Sequence, residues 1–128
     1  MFELKIVSQF AAAHQLKMVA EKCENLHGHN WKVEACVAGE DLNPAGVLID
    51  FGELKNHLHQ IMETLDHKFL NALELFDGNP SSENIARYIS DLLQAKIDDK
   101  RIRVSRITVW ESDNASATYI PNPIKSPH

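Results

Sequence analysis

The stretch CENLHGHN, residues 23–30, places a cysteine, an acid and two histidines within seven positions. His27 and His29 are two apart at the entrance to an alternating segment. In a strand, residues i and i+2 share a face with Cα atoms about 6.5–7 Å apart, so two imidazoles there can converge on one metal. Gly28 between them adds no side chain and tolerates unusual backbone angles. His14 ends FAAAH (10–14) and has the parity of Phe2, Leu4, Ile6 and Phe10. If the first two strands pair as a long-looped hairpin, His14 lands beside His27 and His29. Three neutral imidazoles with a fourth position open form the catalytic zinc pattern. An imidazole set disfavours calcium and magnesium, which take oxygen ligands. The plainer alternative is a polar HGH turn with His14 a satisfied buried histidine. A third histidine at the matching strand end weighs against it.

Cys23 lies four residues before His27. A thiol near a divalent cation is readily activated as a base or nucleophile. Equally, it could be the fourth ligand of a closed structural zinc site. Asp66–His67 sets a carboxylate beside an imidazole, a common acid/base arrangement. Glu111 closes SRITVWE with the parity of Ile107 and Val109, so it points where those apolar residues point. An inward carboxylate needs a partner. That partner could be a salt bridge or a ligand edge that donates two N–H groups. His57 and His59 fall on the polar side of a helical segment and read as solvated. Cys36 reads as a small core or sheet residue.

Alternation over 2–10 and again over 30–38 predicts two half-buried strands. The turn-rich GEDLNPAG (39–46) follows. Asp50 then reads as a helix N-cap with Glu53 as capping-box partner. Phe51, Leu54, Leu58, Ile61, Met62 and Leu65 recur at helical spacing, and the helix is expected to end near Asp66. DGNPSS (77–82) is a breaker that offers Ser81 or Ser82 as the next N-cap. Ile85, Ala86, Ile89, Leu92, Leu93 and Ile97 form a second apolar stripe. Strand character returns over 102–111 and over Ala115 to Ile120. The order strand, strand, helix, helix, strand, strand is α+β. Its simplest form is a four-stranded antiparallel sheet with both helices on one face. Such a sheet has two open edges, and Val109, Trp110 and Tyr119 are read as outer-strand residues. Open apolar edges are usually covered or paired, so a homo-oligomer pairing edge to edge is expected.

The 128 residues fit one domain spanning 1–128, and 44% apolar content supports a real core. Thirteen Lys and Arg against eighteen Asp and Glu give a net charge of -5. That balance argues against a surface that coats nucleic acid. The basic run KRIRVSR (100–106) alternates with apolar residues and reads as a strand with one solvated face. Two cysteines do not make a disulfide framework. The opening MFELKIVSQF lacks a signal-peptide apolar region, and no apolar run approaches membrane-spanning length. A cytoplasmic location with reduced thiols, and no membrane or nucleic-acid partner, is the expectation.

FAAAH (10–14), C-x3-HGHN (23–30), the helix opening DF (50–51), LDHKFLN (65–71), PSSEN (80–84) and WE (110–111) together resemble the 6-pyruvoyl-tetrahydropterin synthase / 6-carboxytetrahydropterin synthase family. They run in family order over nearly the whole chain. The resemblance implies the tunnelling fold, in which three subunits close a twelve-stranded barrel and two trimers stack into a hexamer. It implies zinc on His14, His27 and His29, and Cys23 as the proton-abstracting base. It implies Asp66 with His67 as a proton relay, contributed across a subunit interface. Glu111 would anchor the pterin ring, and Ser81, Ser82 and Glu83 would help line the pterin pocket. The implied substrate is 7,8-dihydroneopterin triphosphate, with Lys22, Lys68 and Arg87 as candidate phosphate contacts. The short spacing from Cys23 to His27 resembles enzymes of queuosine biosynthesis that make 6-carboxy-5,6,7,8-tetrahydropterin and release acetaldehyde and triphosphate. Glu24 also completes E-x-x-HGH. That pattern resembles family members that use glutamate as base to make 6-hydroxymethyl-dihydropterin, so one or two products are open. 6-Pyruvoyl-tetrahydropterin synthesis is a further alternative. The competing non-enzyme class is a structural zinc-binding module.

Overall fold

The structure, a computed structural model, describes residues 1–14, 27–76 and 78–121, with His27 described by its backbone alone. Strand β1 runs Phe2–His14 and β2 runs His27–Gly39. They pair antiparallel in unbroken register from Phe2↔Gly39 to His14↔His27. Both strands are longer than the alternation alone suggests. FAAAH continues β1, and HGHN opens β2 rather than forming a turn.

Helix α1, Phe51–Leu65, starts where Asp50 Oδ2 accepts from Glu53 N at 3.1 Å. Leu54, Leu58, Ile61, Met62 and Leu65 form its buried stripe. Helix α2, Ser82–Ile97, starts where Ser81 Oγ accepts from Asn84 N at 3.1 Å. Both caps satisfy an orphan donor of the first turn, which is the reason short polar residues favour these positions. Ile85, Ala86, Ile89, Leu93 and Ile97 face inward. They join Ile6, Phe10, Trp31, Val33, Ala35, Val37, Val104, Ile107 and Val109 in one core between the helices and a single sheet face.

The expected four-stranded antiparallel sheet is present, with one addition. A two-residue strand β3, Lys68–Phe69, lies parallel to β1 through Ala12↔Lys68 and Ala13↔Phe69. The sheet is therefore mixed and five-stranded, in the order β3-β1-β2-β4-β5, where β4 is Arg103–Ser112 and β5 is Ala115–Tyr119. The cause is the exit from α1. His67 takes φ 59°, which reverses the chain, and its N–H donates to Ala11 O at 2.6 Å. Val109 and Trp110 are not edge residues, because β4 lies between β2 and β5 and Val109 is fully buried. Tyr119 does lie on the outer strand β5. Two 3-10 turns, Leu70–Ala72 and Glu74–Phe76, lead toward α2.

The basic run has one solvated face, as its alternation predicts. Arg101, Arg103 and Arg106 are exposed, while Ile102 and Val104 are buried. Cys36 is a buried free thiol. Its place on the sheet face away from the helices is covered by Arg106, which reaches across β2 to Glu3 at 2.8 Å. Among the described residues, no helix is long and apolar enough to cross a membrane.

Candidate functional site

Trp31 is the floor of the site. It is fully buried, stacks on Phe10 with centroids 5.7 Å apart, and donates from Nε1 to Ala12 O at 3.3 Å. His14 and His29 stand edgewise against its indole at 4.9 and 5.3 Å. Ala12 is the cross-strand partner of His29. The strand parity that makes Phe10 and Trp31 core residues thus also turns His14 and His29 inward, side by side at the end of the hairpin.

The two imidazoles meet one carboxylate. Glu111 Oε1 lies 3.2 Å from His14 Nε2 and 3.0 Å from His29 Nε2. Glu111 reaches there because its strand, β4, pairs with β2 beside Trp31, placing Trp110 opposite Lys32. The other ring nitrogen of His14, Nδ1, is 3.0 Å from the carbonyl of Pro80. A carbonyl only accepts, so Nδ1 carries the proton and Nε2 of a neutral ring presents its lone pair. That lone pair faces a carboxylate oxygen, which is also an acceptor. Two acceptors in contact call for a cation between them, either a proton or a metal.

One ligand atom each from His14, His29 and Glu111 lies within 4.8 Å of the other two. A set of two imidazoles and a carboxylate fits a zinc-type ion, which takes nitrogen and oxygen ligands at about 2.0–2.2 Å. Sequence reasoning gave Glu111 a partner-seeking inward carboxylate but did not include it in the ligand set. The parity of β4 was the signal, and the partners are the two histidines. His27 lies opposite His14 in the backbone register.

Asp66 and His67 come to the same place by a different route. Asp66 caps the C-terminal end of α1, its N–H donating to Met62 O at 2.8 Å. Its Oδ1 accepts from Ala11 N at 2.8 Å, and its Oδ2 lies 3.5 Å from His67 Nε2. The imidazole of His67 is exposed, yet it lines a cavity of about 530 Å³ together with Ala11, Gly28, His29, Asn30 and Lys68. His29 and His67 therefore line one cavity, with the Asp66 carboxylate beside His67.

Of the three candidate phosphate contacts, Lys68 lines this cavity. Arg87 lines a separate one of about 460 Å³, with Asn79, Asn84 and Tyr88. Lys22 falls outside the described residues, and so do Cys23 and Glu24. The PSSEN segment touches the site through Pro80. The described lining of the His29 cavity does not include Ser81, Ser82 or Glu83, and Ser81 Oγ is engaged as the α2 cap. His57 and His59 pair with Glu53 and Glu63 on α1, at 3.9 and 3.0 Å, and take no part.

The family model described as 6-pyruvoyl tetrahydropterin synthase matches residues 3–122. The chain is 35% identical over 106 residues to a dihydroneopterin monophosphate aldolase of Pyrococcus furiosus, covering 83% of this chain and 86% of that protein. It is 30% identical over 130 residues to the 6-carboxy-5,6,7,8-tetrahydropterin synthase of Bacillus subtilis, covering 97% and 87%. Among solved structures, Plasmodium vivax 6-pyruvoyltetrahydropterin synthase carrying an alanine in place of a catalytic glutamate superposes with a TM-score of 0.78. It is 25% identical and covers 95% of this chain and 98% of that one.

Proposed function

This chain belongs to the 6-pyruvoyl tetrahydropterin synthase family, and we propose that it is a zinc-dependent 6-carboxy-5,6,7,8-tetrahydropterin synthase. Its substrate is then 7,8-dihydroneopterin triphosphate, and its co-products are acetaldehyde and triphosphate, in queuosine biosynthesis. The observation that carries this reading is the convergence of His14 Nε2 and His29 Nε2 on Glu111, in a site whose cavity also takes in His67.

His14 and His29 hold the zinc, with His27 as the third imidazole. When bound, the ion supplies Lewis-acid polarisation of the substrate's side-chain hydroxyls. Cys23 takes a proton from the side chain. His67, fixed by Asp66, passes a proton at the reacting carbon. Glu111, whose Oε1 faces both histidines, is assigned to the pterin rather than to the ion in this reading: it accepts the N–H donors of the pterin edge, which fixes orientation. Ser81, Ser82 and Glu83 do not line the cavity with His67; in this reading they approach the pterin from the side of Pro80, whose carbonyl touches His14. Lys68 is the cation best placed for the phosphate tail, because it lines the cavity with His29 and His67.

A second reading is cleavage of the side chain to 6-hydroxymethyl-dihydropterin, with Glu24 as base. It is favoured by the likeness to the archaeal aldolase and by the E-x-x-HGH spacing. It is favoured too by the relative whose replaced residue is a catalytic glutamate. Both readings use the same metal site and differ in the base. The outer edges of β5 and of β1 beyond β3 suit edge-to-edge pairing of subunits, in a homohexamer located in the cytoplasm.

Product analysis decides between them. Zinc-loaded protein incubated with 7,8-dihydroneopterin triphosphate is expected to give 6-carboxytetrahydropterin and acetaldehyde by mass spectrometry. A predominance of 6-hydroxymethyl-dihydropterin would establish the second reading, and 6-pyruvoyl-tetrahydropterin would place the chain with the third product class. No turnover by fully zinc-loaded protein refutes all three and favours a structural zinc module.

A further inference from the structure

We propose that Asn84 is a positioning residue for the metal site, acting through the Asn79–Pro80–Ser81 backbone to set the ring of His14. The inference rests on the reading of His14 as a metal ligand. A ligating imidazole works only if its other nitrogen is held, because that contact fixes both tautomer and ring rotation. For His14 the holding group is the Pro80 carbonyl, buried and 3.0 Å from Nδ1. Nothing about a proline carbonyl fixes its own direction. The loop that carries it must be clamped from both sides.

Asn84 is that clamp. Its side-chain Nδ2 donates to Asn79 O at 2.8 Å, on the residue before Pro80. Its backbone N–H donates to Ser81 Oγ at 3.1 Å, on the residue after. Arg87 Nη2 donates to Asn84 Oδ1 at 2.6 Å. A guanidinium has no acceptor, so this contact assigns the amide: oxygen toward Arg87, nitrogen toward Asn79. The loop closes on itself through Ser81 N to Asn79 O at 2.9 Å and Asn79 N to Phe76 O at 2.8 Å. The chain of contacts Arg87–Asn84–Asn79–Pro80–His14 therefore runs without a break from an exposed guanidinium to a fully buried imidazole.

The test is zinc affinity of the full chain without pterin, read by competition with a chromophoric chelator and by the visible spectrum of the cobalt-loaded protein. Asn84→Ala removes the donor to Asn79. Asn84→Asp keeps an oxygen for Arg87 and the backbone cap but places an acceptor against Asn79 O. Both variants are expected to bind zinc roughly 3–10-fold more weakly, less than the roughly 10–100-fold for loss of the direct partner of a metal ligand, because Asn84 acts on that partner through the backbone. Both should also show an altered cobalt spectrum and a smaller zinc-induced rise in melting temperature. A purely structural role would lower the metal-free and metal-bound melting temperatures equally and leave the spectrum unchanged. If Asn84→Ala does not fold, Asn84→Asp decides by the same criteria. Wild type that binds zinc while the folded variant binds within twofold overturns this inference alone. Wild type that binds no zinc overturns the metal-site reading and this inference with it.

Discussion

The backbone N–H of Ala11 donates to Asp66 Oδ1 at 2.8 Å, which ties the acid beside His67 to the strand that carries His14. The other oxygen faces His67 Nε2 at 3.5 Å. One carboxylate therefore sets where the imidazole stands and which charge lies beside it. These roles separate by substitution. Asp66→Asn keeps an acceptor for Ala11 and removes the charge. General acid–base groups contribute about 10²–10⁴-fold, so kcat is expected to fall within that range, with the melting temperature and zinc affinity near wild type. Steady-state kinetics with calorimetry on the same preparation checks both halves.

Glu111→Gln keeps the size of the side chain and removes its charge. Hydrogen bonds to a charged group contribute roughly 1.5–3 kcal/mol, which corresponds to a loss of roughly 10- to 200-fold in kcat/KM. KM for the pterin should carry part of that loss, because an anchor works in the ground state as well. A change in kcat/KM of less than threefold would remove Glu111 from the site's chemistry.

Trp31→Leu tests the floor. The indole touches Phe10, His14 and His29 by ring contacts and donates to Ala12 O. Truncating a fully buried aromatic costs about 3–5 kcal/mol for the change to alanine, and the leucine replacement should cost somewhat less. The expected result is a protein that unfolds at lower denaturant and also binds zinc more weakly. Equilibrium unfolding with and without zinc measures both.

How far the chemistry was legible in the sequence depended on how local its cause is. Strand parity is local: it gave His14 the face of Phe10 and set it beside His27 and His29. The structure brings His14 and His29 together against Trp31, while the His27 side chain lies outside the described residues. The caps at Asp50 and Ser81 were equally legible, because a short polar side chain before an apolar helical stripe needs no tertiary context. The inward direction of Glu111 followed from parity too, and its partners proved to be the histidines themselves. What did not show was everything fixed by the path of a connection. The strand Lys68–Phe69 exists because His67 reverses the chain at φ 59°. Histidine is enriched at positive φ among non-glycine residues, but it occurs far more often elsewhere, so on its own it marks that turn only weakly. The Pro80 carbonyl reaches His14 across 66 residues, a contact that no pattern within the PSSEN segment announces. The placement of Val109 and Trp110 on an outer strand failed for a related reason. The last strand, Ala115–Tyr119, turns back onto β4 and takes the edge itself.

Away from the site, the Glu3 carboxyl is held below its ordinary value of 4.5, first by the hydrogen bond from Ser105 and then by that from Arg106, both at 2.8 Å. A lowered folded-state value means the contribution is present at neutral pH. It is lost as pH falls below 4.5 through the folded value. The group is near the surface, so the effect should stay under about 1 kcal/mol. Glu3→Gln is expected to melt slightly below wild type at pH 7, and the gap should close in acid. Thermal scans at pH 7 and below 4 measure it.

The most direct measurement of the central claim is anomalous diffraction at the zinc edge from crystals of the zinc-loaded protein with a dihydropterin bound. A single strong peak within coordination distance of His14 Nε2 and His29 Nε2, with the pterin edge on Glu111 and its side chain toward the metal, is the expected result. A zinc peak elsewhere, or a pterin seated away from these histidines, would contradict the account.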